Sequence, residues 1–287
     1  MGYTLDEIDR QYNARASVSD CLPFLKEYAD FSAMAREQVK GELSVPYGGH
    51  PDETLDIFPA ARPDAPVYVF IHGGYWRALS KDDSSFMAPA FHAAGATVVA
   101  VNYSLAPGVG LDTIVRQCRS ALAWVYRHIH RYHGDAARIH VSGSSAGGHL
   151  VGMLLASGWH EAFDVPAGIV HSASPISGLF DLRPLVHTHI NEWTRLDSSS
   201  SVALSPLFRL PSQGCPILVA WGQFETGEFR RQSLDYARAW QDHGFNARQL
   251  EVQGANHFNV LMALRDPATA LSRAIFELMG LLPSGAA

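Results

Sequence analysis

The segment that most constrains this chain is Gly143-Ser144-Ser145-Ala146-Gly147, which lies between a predicted strand and a predicted helix. Residues 138–142 before it are β-rich, and residues 148–156 after it are apolar enough for a buried helix. Such a sharp turn crowds the backbone on both sides of its central residue, where only glycine fits without a Cβ clash. The pattern therefore predicts that Ser145 stands above a sheet as a nucleophile, in a strained backbone conformation.

Short β-rich runs alternate with longer helical segments from residue 54 onward. Several of the runs are continuously apolar, which is typical of parallel strands covered by helices on both faces. Apolar residues with helical spacing predict helices over residues 114–129, about 228–244 and about 259–279. The order predicts an α/β fold with a mostly parallel, doubly wound sheet. The predicted strands are Thr54–Phe58, Val67–His72, Thr97–Tyr103, Ile139–Ser142, Ala167–Ala173, Ile217–Trp221 and Arg248–Val252.

Two segments depart from this alternation. Residues 1–45 predict a helical N-terminal extension of two pieces, and residues 176–212 form an irregular excursion between two strands. Long excursions at strand ends often cover a site, and the alternative is that this one only caps the sheet. A length of 287 residues fits one α/β domain spanning residues 1–287.

Composition limits the classes of partner. The chain is 47% hydrophobic and 17% charged, which supports a large core, and its net charge of −6 predicts no nucleic-acid or anionic-membrane partner. The three cysteines are widely separated, as expected of reduced thiols. An acidic N-terminus without an apolar segment predicts no secretory signal and no membrane anchor. We therefore expect a cytoplasmic protein that acts on a small molecule; a homo-oligomer is compatible with this composition.

A serine nucleophile needs a base, a group that orients the base, and donors for an oxyanion. Parallel strands place their sites at their carboxyl ends, where His257 follows the last predicted strand and Glu225 follows the one before it. The order serine, acid, histidine matches that expected of this architecture. We predict a triad of Ser145, Glu225 and His257. Glu228, which we expect to be structural in the first turn of a helix, and an unrecognised aspartate remain alternatives to Glu225.

The oxyanion donors are expected after the strand that ends at His72. The backbone N–H groups of Gly73 and Gly74 can turn toward a substrate carbonyl there, and Ala146, which follows the nucleophile, would complete the oxyanion hole. Tyr75 and Trp76 are predicted to bind substrate at the rim of the pocket, with core packing as the alternative. His72 itself is expected to be a structural hydrogen-bonding residue.

Fourteen histidines raise the question of a metal site. The segment His128-Ile129-His130-Arg131-Tyr132-His133 continues a predicted helix, where these histidines do not share one face, and we therefore expect no metal. His149 is expected to pack inside its helix, and His187 and His189 to belong to the covering excursion. No dinucleotide fingerprint and no P-loop lysine is present, so no cofactor is expected.

Five segments of the chain resemble one group of α/β-hydrolases, the kynurenine formamidase (arylformamidase) group. A third glycine at the position of Tyr75 is usual in related hormone-sensitive-lipase-like esterases, and the group's triad acid is expected to be an aspartate where this chain has Glu225. The resembling segments are His72-Gly73-Gly74-Tyr75-Trp76, Asn102-Tyr103-Ser104-Leu105-Ala106-Pro107, Ser177-Gly178-Leu179-Phe180-Asp181-Leu182, Glu228-Phe229-Arg230-Arg231-Gln232-Ser233 and Gly254-Ala255-Asn256-His257-Phe258.

The resemblance implies the α/β-hydrolase fold and hydrolysis of N-formylkynurenine to kynurenine and formate. Ser145 would attack the formyl carbon and His257 would protonate the leaving aniline nitrogen, beside the aromatic side chains of Tyr75 and Trp76. A carboxylesterase acting on small acyl or aryl esters is the main alternative, because the same residues serve both reactions. A non-catalytic binding protein on this scaffold would be expected to lack part of the triad.

Overall fold

One sheet of eight strands organises the protein in a computed structural model that describes residues 3–281. The strand order across the sheet is β1-β2-β4-β3-β5-β6-β7-β8, in which β1–β2 and β2–β4 are antiparallel and the other pairs are parallel. The predicted mostly parallel, doubly wound α/β sheet is confirmed. The strands are Glu42–Pro46 (β1), Thr54–Phe58 (β2), Ala65–Ile71 (β3), Thr97–Val101 (β4), Gly134–Ser144 (β5), Ser172–Ile176 (β6), Ile217–Gly222 (β7) and Ala247–Val252 (β8).

Helices cover both faces of this sheet. The α-helices are Leu5–Tyr12 (α1), Leu22–Gln38 (α2), Ala88–Ala93 (α3), Leu111–His128 (α4), Ala146–Leu155 (α5), Asn191–Thr194 (α6), Ser198–Ala203 (α7), Gly227–Asp242 (α8) and Ala270–Met279 (α9). Short 3₁₀ helices are Ala14–Ser17, Lys81–Asp83, Ile129–Tyr132, Glu161–Phe163, Arg183–His187, Pro206–Phe208 and Asn259–Arg265. Within residues 3–281, no helix is both long and apolar enough to cross a membrane.

The central strand β3 shows why the sequence folds into layers. All seven of its residues are buried, and its side chains alternate between the two faces of the sheet. Val67, Val69 and Ile71 join the core under α4, α5 and α8, whereas Tyr68 and Phe70 join the core under α3 and α9. A continuous apolar strand is stable here because neither face meets water.

Three predicted elements differ most from the structure. The strand predicted over Ala167–Ala173 is β6, Ser172–Ile176, because residues 166–169 turn on themselves (Ile169 N to Pro166 O, 3.1 Å) and pairing with β5 begins only at Ser172. Residues 42–45, at the end of the predicted helical extension, belong to β1, the edge strand that pairs with β2. The last predicted helix is split between a 3₁₀ helix and α9, because Pro267 cannot continue a helix.

The N-terminal helices and the excursion lie at the carboxyl ends of the parallel strands. The hydroxyl of Thr226, before α8, donates to the carbonyl of Gln11 in α1 (2.6 Å). The backbone N–H of His189 in the excursion donates to Oδ1 of Asp9 in α1 (2.6 Å), and Nδ1 of the same histidine lies 2.7 Å from that oxygen. His189 also lines the cavity described below.

Candidate active site

Ser145 lies at the junction of β5 and α5 in a left-handed, strained conformation (φ 57°, ψ −117°). Its backbone N–H donates to the carbonyl of Ile176 on β6 (2.9 Å), which fixes the turn. The flanking glycines are required by close backbone contacts. A Cβ at Gly143 would lie 2.7 Å from the carbonyl oxygen of Gly147, and one at Gly147 would lie 2.0 Å from that of Ile71. The G-x-S-x-G pattern thus reflects how closely the end of β5, the start of α5 and the end of β3 approach one another.

His257 and Glu225 are hydrogen-bonded to each other on the loops after β8 and β7, with 2.9 Å between Nδ1 and Oε2. The Glu225 side chain is fully buried and that of His257 is 7% exposed. The other oxygen of Glu225 accepts from the backbone N–H of Gly222 (2.6 Å) and from the hydroxyl of Ser177 (2.5 Å). A carboxylate accepts and never donates, so this network assigns the proton to Nδ1 and leaves Nε2 of His257 free to take another proton.

Ser177 is the residue of this network that the sequence reasoning missed. It follows β6, has a positive φ of 51°, and donates its backbone N–H to Ala220 on β7 (2.7 Å). The side chain is thereby aimed at Glu225. In the sequence, Ser177 belongs to a segment that resembles the formamidase group, and the signal for its role is a hydroxyl residue at the carboxyl end of a strand next to the acid loop.

The loop after β3 runs directly against the elbow. A Cβ on Gly73 would lie 3.3 Å from Cβ of Ser145, and Gly74 has a φ of 96° that side chains rarely adopt. The turn is closed by the N–H groups of Arg77 and Ala78, both of which donate to the carbonyl of Gly74 (3.1 Å each). In the part of the chain that the structure describes, no hydrogen bond uses the N–H groups predicted as oxyanion donors, those of Gly73, Gly74 and Ala146.

A cavity of about 560 Å³ opens above these groups, and Ser145 and His257 both line it. Tyr75 lines it as predicted, and its hydroxyl donates to the carbonyl of Tyr12 (2.5 Å). The remaining lining residues are Asn13, Ala14, Arg15, Ala16, Leu25, Tyr28, Phe70, Gly73, Gly74, Arg77, Ala78, Leu79, Ser84, Phe86, Ser144, His189, Trp193, Phe258 and Leu261. The walls are therefore mainly aromatic and aliphatic.

Trp76 does not line this cavity, contrary to the prediction that it binds substrate. Its side chain is fully buried, and its indole N–H donates to Nδ1 of His149 (3.2 Å). The physical reason is the turn after Gly74, which directs one of two adjacent aromatic side chains to the cavity and the other into the core. The second aromatic wall comes instead from Trp193 of α6, whose indole N–H donates to the carbonyl of Tyr75 (2.9 Å).

The other histidines near the elbow have structural contacts. His149 is fully buried with Nε2 2.8 Å from the carbonyl of Leu204, and burial lowers its pKa to about 4. His72 stacks on Tyr103 with ring centroids 4.0 Å apart, and burial lowers its pKa to about 4 as well. Both imidazoles are therefore neutral at pH 7 and packed in the core, as expected from the sequence.

The alternatives to Glu225 as triad acid pair with residues other than His257. Glu228 accepts from the hydroxyl of Tyr12 (2.7 Å) and is paired with Arg231 (2.8 Å), so it joins α1 to α8. Asp181, the aspartate of the resembling excursion segment, forms a two-point ion pair with Arg183 (2.9 and 2.8 Å). Within residues 3–281, no group of three or more histidine, cysteine or acidic side chains is arranged to hold a metal ion.

A nucleophile-type elbow on a doubly wound sheet places this protein among the hydrolases of the α/β-hydrolase fold. Comparison with solved structures supports this fold assignment. A protein from Silicibacter sp. TM1040, described as a candidate thioesterase, superposes with a TM-score of 0.82 at 28% identity, covering 94% of this chain and 98% of that one. An esterase from Pyrobaculum calidifontis gives a TM-score of 0.73 at 18% identity over 98% and 94% of the two chains, which supports the fold alone.

Sequence relatives narrow the class further. The kynurenine formamidase of Danio rerio is 32% identical over 96% of both chains, and that of Salmo salar gives the same values. Esterase LipQ of Mycobacterium tuberculosis is 26% identical over 83% of this chain and 62% of its own length. The BD-FAE family model matches residues 55–178. The chain belongs to the kynurenine formamidase family, and the predicted resemblance is confirmed.

Proposed function

We propose that this enzyme hydrolyses the aryl formamide N-formylkynurenine to kynurenine and formate, with Ser145, Glu225 and His257 as its triad. The observation that carries this proposal is the hydrogen-bonded pair of Glu225 and His257, because His257 lines the same cavity as Ser145. Membership of the kynurenine formamidase family supports the choice of substrate.

In the first half of the proposed reaction, Oγ of Ser145 attacks the formyl carbon while Nε2 of His257 takes the hydroxyl proton. Glu225 holds the imidazole in the required tautomer and stabilises the cation that forms. The N–H groups of Gly73, Gly74 and Ala146 donate to the developing oxyanion. The C–N bond then breaks, the proton moves from His257 to the aniline nitrogen, and kynurenine leaves.

In the second half, water attacks the formyl ester on Ser145, and His257 accepts a proton from that water. The proton then returns to Oγ of Ser145 as formate is released, so the enzyme regains its starting state. The acyl side of the substrate needs little space, whereas the aryl side needs the rest of the cavity. Tyr75, Trp193 and Phe258 offer aromatic surface for that ring.

A carboxylesterase is the second candidate, supported by the relatives named as esterases. The test compares kcat/KM for N-formylkynurenine with those for p-nitrophenyl acetate and p-nitrophenyl butyrate, using Ser145→Ala as the blank. A preference for the formamide of at least about tenfold is expected. Ester turnover without formamide turnover would refute the substrate assignment.

We also propose a cytoplasmic location, because Cys21, Cys118 and Cys215 are free thiols.

A further inference from the structure

The charged side chains that line the catalytic cavity are basic, although the chain as a whole is acidic. The sequence carries 28 acidic and 22 basic residues, yet no aspartate or glutamate is among the described residues that line the cavity. Its two fully charged side chains are those of Arg15 and Arg77. Glu225 is hydrogen-bonded to His257, Ser177 and the backbone of Gly222, and its side chain does not line the cavity. A cavity lined by cations without anions favours an anionic ligand.

Arg77 is held by an aromatic ring and not by an ion pair. The guanidinium carbon lies 4.1 Å from the ring centroid of Trp193, and Trp193 is itself fixed by its hydrogen bond to the carbonyl of Tyr75 (2.9 Å). Stacking over an aromatic face leaves the N–H groups at the edge of the guanidinium free to bind. Among the described residues, no carboxylate forms an ion pair with Arg77.

Arg15 is an exposed residue of the N-terminal extension that lines the cavity. It lies on the 3₁₀ helix Ala14–Ser17, which begins with the side chain of Asn13 accepting from the N–H of Ala16 (3.1 Å). The preceding Gln11 is bound to Thr226 beside the acid loop, so the segment is anchored to the catalytic end of the sheet. The structure shows no acidic partner for Arg15 among residues 3–281.

We propose that Arg77, together with Arg15, forms a subsite for a carboxylate on the leaving-group side of the substrate. This inference rests on the proposed function, since N-formylkynurenine carries an amino-acid carboxylate beyond its aryl ring. Guanidinium groups bind carboxylates through two parallel hydrogen bonds, which fixes orientation as well as charge. The ammonium group of the same substrate meets no acidic side chain in the cavity, so the carboxylate carries the recognition.

The test uses two formamides that differ at one group, N-formylkynurenine and N-formylkynuramine, which has hydrogen in place of the carboxylate. The wild-type protein is expected to prefer the carboxylate substrate in kcat/KM by about 10- to 100-fold, the usual value of a charge-assisted hydrogen bond. Arg77→Gln is expected to lower that preference at least about tenfold, and Arg77→Lys to restore part of it. Arg15→Gln is expected to lower it by a smaller factor.

Arg238→Gln is the matched control, because Arg238 is exposed on α8, does not line the cavity and changes the net charge equally. Its preference is expected to equal that of the wild type, and thermal unfolding checks that every variant is folded. A preference that Arg77→Gln and Arg15→Gln both leave intact overturns the subsite. If Arg238→Gln lowers the preference as much as Arg77→Gln does, the subsite is overturned too, because the effect would then come from the change in net charge.

Failure of the proposed function has a different signature. If the wild-type protein cleaves aryl acetates but neither formamide, the formamidase assignment is wrong and the subsite is judged on esters. The ester pair is 3-(4-acetoxyphenyl)propionate and its uncharged amide, in which the carboxylate again belongs to the leaving group. Loss of the preference for the acid in Arg77→Gln supports the subsite, and an unchanged preference refutes it.

Discussion

Replacing Glu225 with glutamine tests how the acid acts on His257. In the wild-type protein, one carboxylate oxygen accepts from Gly222 N–H and Ser177, and the other accepts from Nδ1–H of His257. Glutamine has one acceptor oxygen and one donor NH₂. The N–H of Gly222 belongs to the backbone and cannot turn away, so the amide oxygen is expected there and the NH₂ faces His257. Nδ1 must then accept, and the ring proton moves to Nε2, which can no longer take the proton of Ser145.

The expected loss in kcat is about 10⁴-fold, the size found when the equivalent carboxylate of a serine protease is made an amide. That factor corresponds to a barrier increase of about 5.5 kcal/mol. Glu225→Gln keeps the volume of the fully buried side chain, so no cavity forms and the fold is expected to persist. The assay is kcat at pH 7 on the fastest substrate, with the melting temperature measured on the same preparation.

Glu228→Gln is the control for this experiment. Glu228 is also buried (1% exposed), but its partners are Tyr12 and Arg231 rather than His257. Its kcat is expected to stay within about tenfold of wild type even if the melting temperature falls. A folded Glu225→Gln enzyme that retains more than a tenth of the wild-type kcat would refute the tautomer argument.

Two further predictions concern stability. Gly147→Ala is expected to destabilise the fold by about 3 kcal/mol or more, because its Cβ would meet Ile71 O at 2.0 Å; the open site Gly168→Ala should be nearly neutral in the same urea titration. Burial lowers the pKa of His140 to about 3 and of His149 to about 4. Burial lowers the pKa of His72 to about 4 as well. The unfolded chain therefore binds more protons than the folded one below pH 6.5, and stability should fall by roughly 3 to 4 kcal/mol per pH unit around pH 5. An unchanged urea midpoint from pH 7 to pH 5 would contradict this.

The sequence by itself determined the class of fold and the order of the elements that carry the site. Continuous apolar strands, the G-x-S-x-G turn and the loops that hold Glu225 and His257 are patterns that a short stretch of sequence records. The loop glycines after β3 belong with them, because a tight turn requires residues without side chains wherever it occurs.

Only the tertiary structure decided which side chains meet around the cavity. Trp76 turned into the core, whereas Trp193, more than a hundred residues away, formed the aromatic wall. The partnership of Ser177 with Glu225 and the position of Arg77 over Trp193 likewise join segments that are distant along the chain. The spacing of apolar residues along the chain predicts a strand or a helix. A cavity, however, forms where several such elements end. Its lining therefore depends on packing between elements, which no single stretch of sequence records.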